Sequence, residues 1–175
     1  MSIEIGKYPQ EVKKAVRAFW SGRKKASDKQ ANTGKKDQGN RGAVTGGKNM
    51  DAFADLLESL VKKNGLKHAE VLRKKGVVTL PGHFRPTKQW DLLVMNEGKL
   101  IAALELKSLC GPSFGNNANN RCEEALGSAI DFQTAVREGS FGSGVAPFLG
   151  YVLLIEDHEK SRCLLYTSPS PRDRG

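Results

Sequence analysis

Asp91, Glu105 and Lys107 are the residues of this 175-residue chain whose types and spacing could do chemistry together. The run Leu100-Ile101-Ala102-Ala103-Leu104-Glu105-Leu106-Lys107 is apolar until two charged residues appear two apart, and the period of an extended strand puts both on one face. Trp90 to Met95 is a second strand-like run, and Asn96-Glu97-Gly98 between the two predicts a β-hairpin. With a three-residue loop at Asn96 to Gly98, Met95 faces Lys99 and Asp91 faces Ala103, so Asp91 lies on the face of Glu105 and diagonally next to it. A two-residue loop would pair Asp91 with Leu104 and separate the carboxylates. Two carboxylates meeting across adjacent strands offer hard oxygen ligands to Mg²⁺, which keeps several waters and can be shared with a substrate phosphate. Such an ion lowers the pKa of bound water and offsets charge growing in a phosphoryl transition state. Lys107, a point charge beside it, positions the attacking water or stabilises phosphate oxygens. The chemistry implied is hydrolysis of a phosphodiester. Taken alone, a Glu-x-Lys at a strand end is commonly a solvated ion pair, so the surrounding elements carry weight.

Those elements read as helix, three strands, helix, strand. Pro9 to Trp20, with Val12, Val16 and Phe19 at helical spacing, predicts a short amphipathic helix, and Ser21 to Lys48 a loop or arm without a core of its own. Met50, Phe53, Leu57, Leu60 and Val61 form one stripe of a helix that stops at Asn64-Gly65. Leu66 to Lys75 stays undecided, and Val77 to Leu80 predicts a short strand ending at Pro81-Gly82. After the hairpin, Ser113 to Asn120 reads as a polar segment with Asn119 or Asn120 as the cap of a second long helix. That helix would bury Cys122, Ala125, Leu126, Ala129 and Ile130. Phe148 to Ile155 predicts a strand buried on both faces.

Charge points the same way as the site. Lys and Arg number 28 against 19 Asp and Glu, a net +9, which favours a polyanionic partner through counterion release from phosphates. Ser21 to Met50 alone carries eight basic residues and two acidic ones. No apolar stretch approaches the ~18 residues of a membrane span, and the first residues lack a signal-peptide pattern, so a cytoplasmic protein is expected. Cys110, Cys122 and Cys163 stand without partners at ligand spacing, which argues against a disulfide framework or a zinc site and for buried thiols. Gly46-Gly47-Lys48 lacks the remainder of a phosphate-loop pattern, so no nucleotide cofactor is expected. His68, His83 and His158 are scattered and read as surface residues.

Four segments carry a resemblance: Arg41 to Asp51 (RGAVTGGKNMD), Gln89 to Val94 (QWDLLV), Leu104 to Ser108 (LELKS) and Ser113 to Arg121 (SFGNNANNR). Together they closely resemble the XhoI family of type II restriction endonucleases, and the likeness runs from near residue 1 to about residue 161. It implies an α/β fold with the PD-(D/E)XK core, αβββαβ, a mixed sheet flanked by helices. It implies Mg²⁺-dependent double-strand cleavage of DNA at CTCGAG to leave 5′ overhangs, by a homodimer whose two-fold axis matches the palindrome. Matching motif to motif, Asp91 and Glu105 are the metal-binding carboxylates and Lys107 the catalytic lysine; Trp90 stands where the usual proline precedes the aspartate. The likeness also implies that the basic stretch from Thr33 to Met50 is ordered on or near DNA.

Arg41, Lys48, Asn116, Asn117, Asn120 and Arg121 are the candidate DNA-binding residues, since Asn and Arg can reach base edges and a helix start favours phosphate. Glu58, on the helix before the strands, reads as solvated rather than as a further metal ligand. Residues 1–161 are expected to form one restriction endonuclease domain, incomplete at its C-terminal end. Residues 162–175 (RCLLYTSPSPRDRG) read as a non-native, adapter-derived tail, and a chain so truncated is expected to lose whatever the missing part supplies. Two rival readings share the same residues: a repair or junction-resolving nuclease of this fold, and a non-catalytic basic DNA-binding module in which Glu105 and Lys107 pair on the surface.

Overall fold

Helix formers that follow Pro9 in the first turn build α1 (Tyr8–Asn32), twice as long as the periodicity of its first half predicts. The computed structural model describes residues 6–32, 50–73, 77–112, 114–142 and 144–162. The segment from Ser21 to Lys48, whose lack of large apolar residues predicts a loop or arm, is helical in its first part, Ser21 to Asn32. Its lysines, alanines and glutamine are good helix formers nonetheless, and a helix needs no core of its own to propagate from one already formed. Ala15 and Phe19 are buried, and the Arg23 guanidinium lies 5.8 Å from the ring centroids of both Phe19 and Trp20. Helix α2 (Asp51–Lys63) buries Phe53, Ala54 and Leu56, and Lys63 of α2 meets Glu11 of α1 at 3.0 Å. These helices belong to one compact unit, residues 1–69, and all strands belong to a second, residues 70–175.

In the second unit a four-stranded sheet has the order β1-β4-β5-β6, formed by β1 (Glu70–Leu72), β4 (Leu92–Asn96), β5 (Lys99–Leu109) and β6 (Phe148–Ile155). The first three run antiparallel to their neighbours and β6 runs parallel to β5. A parallel neighbour needs a crossover, which α3 (Phe114–Arg137) supplies. The sheet is therefore mixed, and helix, three strands, helix, strand is its order, as expected. The first sheet strand, however, is β1 in the undecided segment. The predicted strand at Val77 to Leu80 instead contributes β2 (Thr79–Pro81), which pairs with β3 (Thr87–Gln89) in a separate small hairpin inserted before β4.

Val78, Trp90, Leu93, Ala103 and Phe132 form a buried cluster that joins the hairpin's base, the sheet and α3, with Trp90 edge-on to Phe132 at 5.5 Å. Helix α3 starts at Phe114, so the asparagine segment is its first two turns rather than a loop and cap. Its buried face is also not the predicted one. Phe114, Ser128, Asp131, Phe132, Thr134 and Ala135 point inward, while Leu126 is 64% and Ile130 55% exposed and Cys122 is exposed. Polar residues occupy the inner face because they have partners there. Asp131, 2% exposed, accepts hydrogen bonds from the backbone N–H groups of His83 and Phe84 and pairs with Arg85, holding the β2–β3 loop.

Candidate active site

The hairpin that carries the two carboxylates closes differently from the expected one. Asn96 pairs with Lys99 across Glu97 and Gly98, whose φ values of 50° and 72° are those of a two-residue primed turn. Carried straight down the ladder, that loop would set Asp91 against Leu104 on the wrong face. The pairing instead shifts between Val94 and Met95. Met95 faces Leu100 and Val94 faces Ala102, so Ile101 is the extra residue of a β-bulge, and Leu92 then faces Leu104. Asp91 stands just before the paired strand, and its carboxylate and that of Glu105 converge on Lys107. The three-residue loop is thus corrected to two residues plus a bulge, and the two carboxylates share Lys107 as their partner.

Backbone groups fix Asp91 at the ladder's end. Its N–H donates to the Leu104 carbonyl at 3.2 Å, and the Leu106 N–H donates to its Oδ2 at 2.8 Å. Glu105, 5% exposed, lies mid-strand between β4 and β6, where Tyr151 is its neighbour. Lys107 Nζ is bonded to Glu105 Oε1 and lies 3.8 Å from Asp91 Oδ2. Burial holds the Asp91 carboxyl above its ordinary value. The Leu106 N–H pulls it down, the Glu105 charge pushes it up, and Lys107 and Lys88 pull it down. The structure therefore brings Asp91, Glu105 and Lys107 together on one face.

It adds two residues that the sequence reading missed. Lys88 Nζ, from β3, lies 3.1 Å from Glu105 Oε2 and 4.6 Å from the Trp90 ring centroid. Nothing in Thr87-Lys88-Gln89 signalled this, because a three-residue strand shows too little periodicity to aim a side chain. Tyr151 is the second; burial pushes its phenol up to about 12, so it stays protonated, and its hydroxyl has no hydrogen-bond partner among the described residues. Arg85, Lys88, Glu105, Lys107, Glu124 and Tyr151 line a cavity of about 220 Å³ beside the carboxylates.

No group of three or more acidic, His or Cys side chains that could hold a metal is assembled among the described residues. The donor set is two carboxylates, and that fits Mg²⁺, which is commonly held by one or two carboxylates together with waters and substrate phosphate. Asp91 and Glu105 would hold it.

Of the remaining candidates, Arg121 comes nearest, because its partner Glu124 lines the same cavity. Asn116 and Asn120 are exposed and Asn117 half-buried on the first turns of α3, and Arg121 pairs with Glu124 one turn on. Arg41 and Lys48, with the basic stretch around them and the tail from Cys163 onward, lie outside the described residues. Glu58 pairs with Lys62 on α2. Cys110 is buried as expected, whereas Cys122 is not. No helix among the described residues is long and apolar enough to cross a membrane.

The chain is 50% identical over 161 residues to the type II restriction enzyme AbrI of Azospirillum brasilense, covering 92% of this chain and 72% of that protein. It is 48% identical over 165 residues to the type II restriction enzyme XhoI of Xanthomonas vasicola, covering 93% and 65%. It is 55% identical over 131 residues to the type II restriction enzyme BstVI of Geobacillus stearothermophilus, covering 72% and 58%. The chain therefore spans roughly three-fifths to seven-tenths of the length of these relatives. No solved structure matches it. Residues 29–170 match the family described as restriction endonuclease XhoI, and with that match and these identities the chain belongs to the XhoI family of type II restriction endonucleases.

Proposed function

We propose that this chain is the nuclease part of a site-specific deoxyribonuclease that cuts both strands of DNA at CTCGAG, with Mg²⁺ held by Asp91 and Glu105. The observation that carries the reading is the convergence of two carboxylates on one ammonium, with Lys107 bonded to Glu105 and 3.8 Å from Asp91. A bound Mg²⁺ would lower the pKa of water and offset charge on the phosphoryl oxygens. The Leu106 N–H donates to Asp91 Oδ2 and so orients this carboxylate before a cation arrives. Lys107, 24% exposed on its side chain, faces the opening where a phosphate would arrive and orients the attacking water or the phosphate oxygens. Double-stranded DNA is the partner, and a second copy of the chain matches a palindromic site with a two-fold assembly.

The test is digestion of a plasmid of known sequence with Mg²⁺ by the chain and by Glu105→Gln and Lys107→Ala. Discrete fragments ending at CTCGAG with 5′ overhangs from the parent chain, and none from either variant, are expected. Cutting that persists in either variant, or ends that map to branched DNA rather than to sequence, overturns the assignment.

A further inference from the structure

Glu105 is a buried carboxylate with an ammonium group on each oxygen: Lys107 on Oε1 and Lys88 on Oε2, the latter at 3.1 Å. With Asp91, the four side chains are two negative and two positive, so their formal charges cancel. A divalent cation entering this cluster meets carboxylates whose field is already neutralised, and an ammonium already engages an oxygen that would ligate it. Lys107 bridges both carboxylates and belongs to the site already described. Lys88 touches Glu105 alone, from a different strand, and is 14% exposed on its side chain. It also rests on the face of Trp90, itself 3% exposed. That ring gives the ammonium a second favourable surface, so it can leave the oxygen without losing every partner.

We propose that Lys88 is a positioning residue that serves as an internal cation: it holds Glu105 in place before the metal arrives, competes with the divalent ion for Oε2, and is released toward the cavity when the ion binds. This rests on the metal reading of Asp91 and Glu105. The cavity that Lys88 shares with Lys107 and Arg85 opens beside Glu105 and is also lined by Glu123 and Glu124, so a released ammonium stays at its wall, within reach of an incoming phosphate that would take it as counter-ion. Metal and DNA then favour one another through Lys88, without a separate effector site.

The experiment measures Mn²⁺ binding to the DNA-free chain by titration calorimetry, for the parent, Lys88→Met, Lys88→Arg, Lys88→Gln and Glu105→Gln. Removing the competing charge is expected to tighten Mn²⁺ binding about tenfold in Lys88→Met, while Lys88→Arg stays near the parent. Lys88→Gln replaces Lys88→Met if the latter does not fold. A neutral variant that binds Mn²⁺ no more tightly than the parent overturns the proposal. A second readout needs no variant: acylation of Lys88 in the parent chain by an amine-reactive ester, followed by peptide mass spectrometry, is expected to accelerate on saturation with Mn²⁺. An unchanged or slowed rate overturns the release. Glu105→Gln separates the two readings. If it binds Mn²⁺ as the parent does, the metal assignment itself falls; if it loses binding while Lys88→Met shows no gain, only the role of Lys88 does.

Discussion

Replacing Asp131 by alanine should cost about 3 kcal/mol of stability, and the structure shows where that figure comes from. The Asp131 Oδ1 accepts the N–H of His83 at 3.0 Å and that of Phe84 at 2.7 Å. Hydrogen bonds to a charged group contribute roughly 1.5–3 kcal/mol each. His83 and Phe84 are exposed, so their N–H groups regain water in the variant, and the low end of that range applies twice. The Arg85 pair at 3.2 Å adds less than about 1 kcal/mol, because the arginine side chain is 42% exposed and solvent screens it. Asp131→Asn keeps an oxygen acceptor for the loop but sets an amide toward Arg85, so about half the loss is expected. Urea unfolding of the parent, Asp131→Ala, Asp131→Asn and Arg85→Ala, with unchanged slopes, measures these differences. Hydrogen exchange at the His83 and Phe84 amides should accelerate in Asp131→Ala and in no sheet amide to the same degree. A loss under about 1 kcal/mol in Asp131→Ala, or an Arg85→Ala variant as damaged as it, would refute the clamp. The clamp matters to chemistry because the loop it holds leads directly into β3, which presents Lys88 to Glu105.

Two further outcomes follow from the same structure. Burial raises the Asp91 carboxyl, so the folded chain holds that proton more tightly than the unfolded one: its contribution to stability is present at low pH and lost as pH rises through the folded-state pKa. In chelator, Asp91→Asn should therefore gain on the parent as pH rises, while losing DNA cleavage; a stability difference that stays constant with pH contradicts this. Gly150 faces Leu104 across the parallel pair, and a Cβ there would overlap Leu104 Cδ2 and come within 3.0 Å of Phe148 Cε1. Gly150→Ala should lower stability by about 1–3 kcal/mol through overpacking against the strand that carries Glu105, and a calorimetric melt within a degree of the parent would show that Leu104 can yield.

How far the site was legible depends on which residues fix it. Glu105 and Lys107 share a strand, so period two alone sets their common face, and their convergence could be read directly. Asp91 reaches them through a turn and a bulge. Its correct face was expected from a loop one residue too long, and the structure arrives there by an inserted Ile101 that no local signal marks, since Leu100 to Leu104 is a uniform apolar run. Two shifts of register that each reverse the face restore it together, so a right answer about side-chain orientation survived a wrong account of the turn. Lys88 was illegible because its position depends on a hairpin outside the main sheet, held from below by Asp131. Asp131 in turn was overlooked because the helix was aligned by its apolar residues. On α3 the buried face is the one with polar partners and the exposed one keeps Leu126 and Ile130, the reverse of what amphipathicity alone predicts. The failures share a cause. Hydrophobic periodicity locates elements whose inner face is apolar, and around this site Ser128, Asp131, Lys88 and Glu105 turn inward because each meets a partner or the cavity there. A polar residue that breaks the pattern in such a chain is therefore a better pointer to the site than the pattern itself.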